Sequence, residues 1–170
     1  MASIWLALRS LFWTVVLPGM VAGYVPWRYV GLNHASFSWR DPAQLLGALV
    51  AATGAGVLAT CIWEFAHSGR GTLSPVDPPK HLVVQGLYRY VRNPMYVGVT
   101  TILLGELLIT RTGAFAWYCG GWLVAVNLFI VGYEEPTLRH QFGASYDAYT
   151  KSVGRWIPCL PRRDVPGHLQ

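Results

Sequence analysis

AQLLGALVAATGAGVLATCIWEFA, residues 43–66, has no charge before Glu64 and no proline. As an α-helix rising 1.5 Å per residue it is long enough to cross the roughly 30 Å hydrocarbon core of a bilayer. The stretch therefore reads as a membrane helix. Along it Ala48, Ala52 and Gly56 recur every fourth residue. They leave one face small enough for another backbone to approach closely, which predicts a packed bundle.

The rest of the chain agrees with a membrane class. Of its 170 residues, 53% are hydrophobic and only 12% are charged, too apolar a balance for an ordinary soluble domain. Three further stretches, residues 4–24, 96–109 with their flanks, and 113–133, are candidates for crossing. The expected fold is all-α, a single integral membrane domain over residues 1–170 with about four transmembrane helices. The first stretch has an Arg9-containing start like that of a secretory signal. Its long apolar run, its internal Pro18 and the aromatic anchors Trp5, Trp13, Tyr24 and Trp27 favour a retained span. The third stretch is the shortest and is interrupted by Glu106. An acid there is costly and is expected to pair with Arg111 or to lie near the far interface.

Charge sets an orientation. With four spans, one face collects Arg9, Arg70, Lys80, Arg89, Arg92, Arg139, Lys151, Arg155, Arg162 and Arg163, and the other keeps Arg28, Arg40 and Arg111. The positive-inside rule then puts both termini and the second loop in the cytoplasm, in the inner or plasma membrane if the source is bacterial. The net charge of +5 reads as topology and contact with anionic lipid, with no nucleic-acid partner. Cys61, Cys119 and Cys159 lack metal-ligand spacing and read as small apolar residues. Glu64 and His67 share a helix face but have no third ligand nearby. They read as a hydrated helix end, and no metal is expected.

The polar residues concentrate in KHLVVQGLYRYVRNPMYVG, residues 80–98, which follows the Gly- and Pro-rich connector SGRGTLSPVDPPK. Polar groups gathered at a membrane boundary must be hydrated, paired or bound to something, so the block suggests an enzyme of the membrane surface. HLVVQG suits an extended segment or turn, with main-chain groups open to a ligand. LYRYVRNP reads as a short interfacial helix, and Pro94 as the start of the next helix with Asn93 as its N-cap. Glu134-Glu135 follows the last apolar stretch, where Glu135-Pro136 fits a helix first turn. Tyr146 and Tyr149, three apart, are expected to pin the C-terminal helix to the bundle.

The run H-L-V-V-x-x-G-L-Y-x-x-x-R-N-P-M-Y-x-G, followed by E-E-P-T-L-x-x-x-F-G-x-x-Y-x-x-Y and V-G-R-W-I-P, resembles the isoprenylcysteine carboxyl methyltransferase and phospholipid methyltransferase superfamily. The resemblance covers about residues 79–158. It implies an integral membrane methyltransferase using S-adenosylmethionine, with a cytoplasmic cofactor pocket formed by the second loop and the C-terminal helix. It places His81, Leu82, Val83, Val84 and Tyr88 at the cofactor. Arg92, Asn93, Pro94, Met95 and Tyr96 take the place of the family's R-H-P-x-Y element, and Glu134 that of the first carboxylate of its acidic pair. Arg92, Asn93 and Glu134 are thereby the candidate catalytic residues.

Asn93 stands where the family has His. An amide hydrogen-bonds but does not titrate near neutrality, so no general base is expected there. The residue types suit the donor: Glu134 or Glu135 for ribose hydroxyls or the ammonium, Arg92 for the carboxylate, and Tyr88 and Tyr96 for adenine or the cation. The implied partner is a lipophilic small molecule or lipid-modified acceptor within membrane lipid. Family enzymes acting on prenylcysteine have an Arg four residues before the first Glu, whereas this chain has Ile130. A phospholipid amine or small-thiol acceptor stays open, as does a scaffold or small transporter retaining the fold without activity.

Overall fold

The computed structural model describes residues 16–68, 82 and 84–159, with the side chains of 65–68 left aside. Trp5, Arg9, Trp13, Arg70, Lys80, His81, Val83, Arg162 and Arg163 lie outside the described residues, as does the side chain of His67. The described part is helical, and an isolated bridge between Val91 and Gly154 is its one extended pairing. Helix α1 spans Pro42–Ser68, α2 Pro94–Thr110, α3 Gly113–Phe129, α4 Glu135–Phe142 and α5 Ala144–Ser152. π-helical turns occupy Met20–Tyr24, Pro26–Val30 and Ile130–Glu134. The last of these joins α3 to α4 without a break, giving a helix from Gly113 to Phe142. That helix and Pro42–Glu64 are long and apolar enough to cross a membrane, and α2 is a shorter apolar helix. Leu46, Leu49, Trp117, Val124 and Leu128 stand exposed along α1 and α3. Such apolar surface suits lipid, and the fold is that of an all-α membrane protein.

The described chain divides into two compact units. The first combines Val15–Thr60 with Met95–Asn127. Within it, α1 and α2 touch backbone to backbone. A β-carbon on Gly105 would stand 2.5 Å from the Ala51 amide nitrogen and 2.5 Å from the Gly47 carbonyl oxygen. One on Gly54 would lie 2.7 Å from both the Gly98 carbonyl oxygen and the Ile102 nitrogen. The small face is real, but its register differs from the expected one. Gly47, Ala51 and Gly54 make the approach, whereas Ala52 and Gly56 are exposed.

Gln44 explains the choice. It is buried, accepts from the Ser38 amide at 2.7 Å, and donates to the Ser36 and Ile109 carbonyls at 2.9 and 3.2 Å. Turning α1 to present Ala48 and Ala52 instead would strip a buried amide of these partners, a cost of about 1–3 kcal/mol.

The core of this unit is Val99, Leu103, Phe115 and Cys119, flanked by Val21, Leu107 and Trp122. Its polar tips are satisfied: the Tyr118 hydroxyl donates to the Val21 carbonyl at 2.7 Å, and the Trp122 indole to Thr100 Oγ1 at 3.0 Å. The Phe115 amide donates to Thr112 Oγ1 at 3.3 Å, so the threonine hydroxyl caps the start of α3. Cys119 here and Cys61 in the other unit are buried thiols, as expected, whereas Cys159 is exposed. Arg111 is bonded to Asp41, so it does not pair with Glu106. Glu106 is 8% exposed, and its Oε2 has no hydrogen-bond partner among the described residues. Asp41 lies at the helix boundary, where it can take a cation without the desolvation that isolates Glu106.

Candidate functional site

The second unit draws its described residues from Cys61–Pro94 and Leu128–Gln170. Its polar centre is built on Glu135. Proline follows it just past the Ile130–Glu134 π turn, which accommodates the amide hydrogen that Pro136 lacks within the continuing helix. The Glu135 carboxylate accepts from Arg155 Nε and Nη2, each at 2.9 Å, and from Arg92 Nη1 at 3.0 Å. Two guanidiniums thus share one carboxylate. The Glu135 and Arg92 side chains are only 14% and 15% exposed, and Arg92 Nε is buried with no hydrogen-bond partner among the described residues.

Main-chain pairing brings the two arginines together. The Arg92 amide donates to the Gly154 carbonyl at 2.9 Å, and the Cys159 amide to the Tyr90 carbonyl at 2.8 Å. The C-terminal segment thereby runs alongside the Tyr90–Arg92 segment.

LYRYVRNP forms the expected short helix only in its first part. Only Gly86–Arg89 winds, as a 3₁₀ turn, because the pairing at Val91 demands extended backbone. Pro94 does open α2, as its fixed φ predicts. α4 and α5 meet at Gly143, whose φ of +50° favours glycine. This turn swings Tyr146 and Tyr149 into a small core with Val153, against which Leu82, Val84, Leu138 and Phe142 pack. The Tyr149 hydroxyl donates to the Tyr88 carbonyl at 2.7 Å. The tyrosine pair does pin the C-terminal helix, and its anchor is the turn bearing Tyr88.

Burial pushes the Tyr146 phenol above its ordinary pKa, and the Glu135 charge adds to this while Arg92 opposes it. Burial also raises Tyr149, again against Arg92. Both remain phenols in the folded protein at pH values where a free tyrosine ionises, near 10. The unfolded chain then holds fewer protons than the folded one. Stability is expected to be independent of these groups below about pH 10 and to fall as pH rises beyond it. Replacing both by Phe is expected to flatten that alkaline limb in a pH series of thermal melts.

The structure gathers Leu82, Val84, Tyr88, Arg92, Asn93, Pro94 and Glu134 in this unit, with Asn93 partly buried. Met95 and Tyr96 belong to the other unit, where the Tyr96 ring meets Trp122 at 6.4 Å between centroids. Arg92 is not the free hook expected for a ligand carboxylate, since Glu135 already holds one edge of it. The structure joins Glu135, which the sequence offered as an alternative to Glu134, to Arg92 and brings in Arg155. Their sequence signals, an acid before proline and an arginine in V-G-R-W, describe helix starts and anchors equally well. Neither reveals its partner across the fold.

Comparison with known proteins agrees with the motif order. The family described as Phospholipid methyltransferase matches residues 42–145. The chain belongs to this family. Protein FptB of Pseudomonas aeruginosa is 36% identical over 92 residues, covering 54% of this chain and 82% of that protein. Protein-S-isoprenylcysteine O-methyltransferase of Schizosaccharomyces pombe is 36% identical over 88 residues, 47% of this chain and 34% of that enzyme. The match to the yeast enzyme thus spans only about a third of its length. No solved structure matches the chain. The matched region takes in α1 through the start of α5, including Glu64, Arg92 and Glu135, and leaves Arg155 just beyond it.

Proposed function

We propose that this protein is an S-adenosylmethionine-dependent methyltransferase of the membrane, acting on a lipophilic or membrane-embedded acceptor in the manner of isoprenylcysteine carboxyl methyltransferases. The observation that carries the reading is the Arg92–Glu135–Arg155 set in a chain of this family. The set has two cations to one anion, and a buried Arg92 Nε without a partner among the described residues. A buried guanidinium N–H of this kind calls for an acceptor, and a ligand carboxylate suits its charge.

S-adenosylmethionine supplies an electrophilic methyl group on a sulfonium. For the chain's residues the work is binding and alignment. Arg92 offers its remaining N–H edge to the carboxylate, Glu134 accepts from ribose hydroxyls or the ammonium, and Tyr88 presents a ring to adenine or the cation. Aromatic contact with a cation contributes about 0.5–2 kcal/mol. The main chain around Leu82 and Val84, backed by the Tyr146 and Tyr149 core, borders the cofactor, with Pro94 of the same unit beside it. Asn93 orients without exchanging a proton. Methyl transfer to an acceptor that is already nucleophilic needs chiefly alignment and exclusion of water. The cofactor site faces the cytoplasm beside both termini in a multi-pass arrangement of about four spans, as the distribution of Arg and Lys favours.

Ile130, four residues before Glu134, is 1% exposed. A buried aliphatic side chain there offers nothing to an acceptor carboxylate. This favours a second reading, in which the acceptor is a phospholipid amine or a small thiol.

Titration calorimetry with S-adenosylmethionine or its demethylated product tests the class. Heat of binding is expected, and none in either detergent or lipid, with the fold intact, would exclude a methyltransferase. Glu134→Gln is expected to weaken binding by about tenfold or more, the loss of a charged hydrogen bond of roughly 1.5–3 kcal/mol. Unchanged affinity would remove Glu134 from the site. Radiolabelled methyl donor with lipid extract, prenylcysteine and small thiols would then identify the acceptor.

A further inference from the structure

We infer that Glu64 is a positioning residue that holds the Gly86–Arg89 turn in the shape that presents Tyr88 to the cofactor. The inference takes its ligand from the methyltransferase reading, but its geometry stands on contacts within one unit. Glu64 lies on α1 just past the apolar run, and both of its carboxylate oxygens accept from the Leu87 amide, at 3.3 and 3.4 Å. A carboxylate at the edge of an apolar helix is costly unless it is hydrated or paired, and this amide is a partner that the turn supplies.

Gly86 completes the arrangement. A β-carbon at that position would overlap the Glu64 carboxylate, so the carboxylate occupies volume that any other residue would fill. The φ of Gly86, +56°, independently favours glycine. The glycine of the H-L-V-V-x-x-G-L-Y run thus has a physical reason located in α1. From Gly86 the turn closes through the Tyr88 amide on the Gln85 carbonyl at 3.1 Å and the Tyr90 amide on the Leu87 carbonyl at 3.0 Å. Tyr149 then takes the Tyr88 carbonyl. Two side chains therefore clamp the turn, Glu64 by an amide and Tyr149 by a carbonyl. With Glu64 removed, the Leu87 amide loses its side-chain acceptor, and the turn that carries Tyr88 loosens at that end.

The test compares Glu64→Ala with Glu64→Gln, because the Gln carbonyl still accepts from the Leu87 amide. For Glu64→Ala, the dissociation constant for S-adenosylhomocysteine is expected to rise about tenfold or more, with a melting temperature within about 3 °C of wild type. Glu64→Gln is expected to recover affinity to within about threefold. Wild-type affinity in the Ala variant, equal weakness in both variants, or a fall of more than about 10 °C on Glu64→Ala would overturn the inference, the last by revealing a role in the whole fold.

If wild-type protein binds no cofactor, the methyltransferase reading fails separately. Hydrogen exchange on the ligand-free protein then decides the role of Glu64. The Leu87 amide is expected to exchange about tenfold faster in Glu64→Ala and to regain protection in Glu64→Gln. Equal rates in wild type and Glu64→Ala would overturn the clamp itself.

Discussion

Glu135→Ala is expected to destabilise the second unit by about 3 kcal/mol or more, the range for removing one partner of a buried ion pair. The carboxylate is 14% exposed and is the shared acceptor of two guanidiniums, with Arg92 at 15% and Arg155 at 30% exposure. Truncation leaves both cations facing each other with an apolar methyl between them. Arg155 can swing toward water, whereas Arg92 is tethered by its amide to Gly154 and is confined. The main cost therefore falls on Arg92. Glu135→Gln is expected to lose less, because its carbonyl still accepts one N–H while the ionic part disappears.

The measurement is denaturant unfolding in micelles, with amide exchange across Tyr90–Arg92 and Val153–Cys159 to locate the loss. A change below about 1 kcal/mol would place the set with exposed ion pairs, which contribute little. Arg155→Ala is expected to fall between the two Glu135 variants, since it removes the bidentate partner but leaves the Arg92 pair intact.

The helices were legible in the sequence because their signal is local. Long apolar runs and Pro94 opening α2 are each read within a few residues. Pairings are not local, and there the sequence was silent or misleading. The four-residue spacing of Ala48, Ala52 and Gly56 correctly announced a small face. The face in use carries Gly47, Ala51 and Gly54 instead, because Gln44 finds its partners only when Gly47 and Gly54 turn inward.

Arg92 stood out as a cation at a membrane edge, but its partner Glu135 lies beyond two helices in the chain. A carboxylate there looks no different from an ordinary helix first turn. The motif H-L-V-V-x-x-G-L-Y likewise marks Gly86 without disclosing that the occupant of its missing side chain is Glu64. Membership of the methyltransferase family could be read from motif order, whereas the ionic set of Arg92, Glu135 and Arg155 needed the fold.

Gly105→Ala is expected to be among the most damaging single-methyl additions in the first unit. The new carbon would meet backbone atoms, the Ala51 nitrogen and the Gly47 oxygen at 2.5 Å and the Ala51 β-carbon at 2.7 Å. No rotamer change relieves such a contact, so α1 and α2 must separate, and the cost is expected at about 3 kcal/mol, the upper end for overpacking. Separation also loosens the Gln44 bond to the Ile109 carbonyl, which depends on the same closeness. Gly56→Ala on the exposed face of α1 adds the same methyl group where nothing lies within 4 Å. Helix propensity alone then acts, and a gain of up to about 1 kcal/mol is expected. Thermal melts of the two variants in one detergent isolate backbone contact from the chemistry of the substitution. Similar melting temperatures for both would show that α1 and α2 do not pack through Gly47, Ala51 and Gly105.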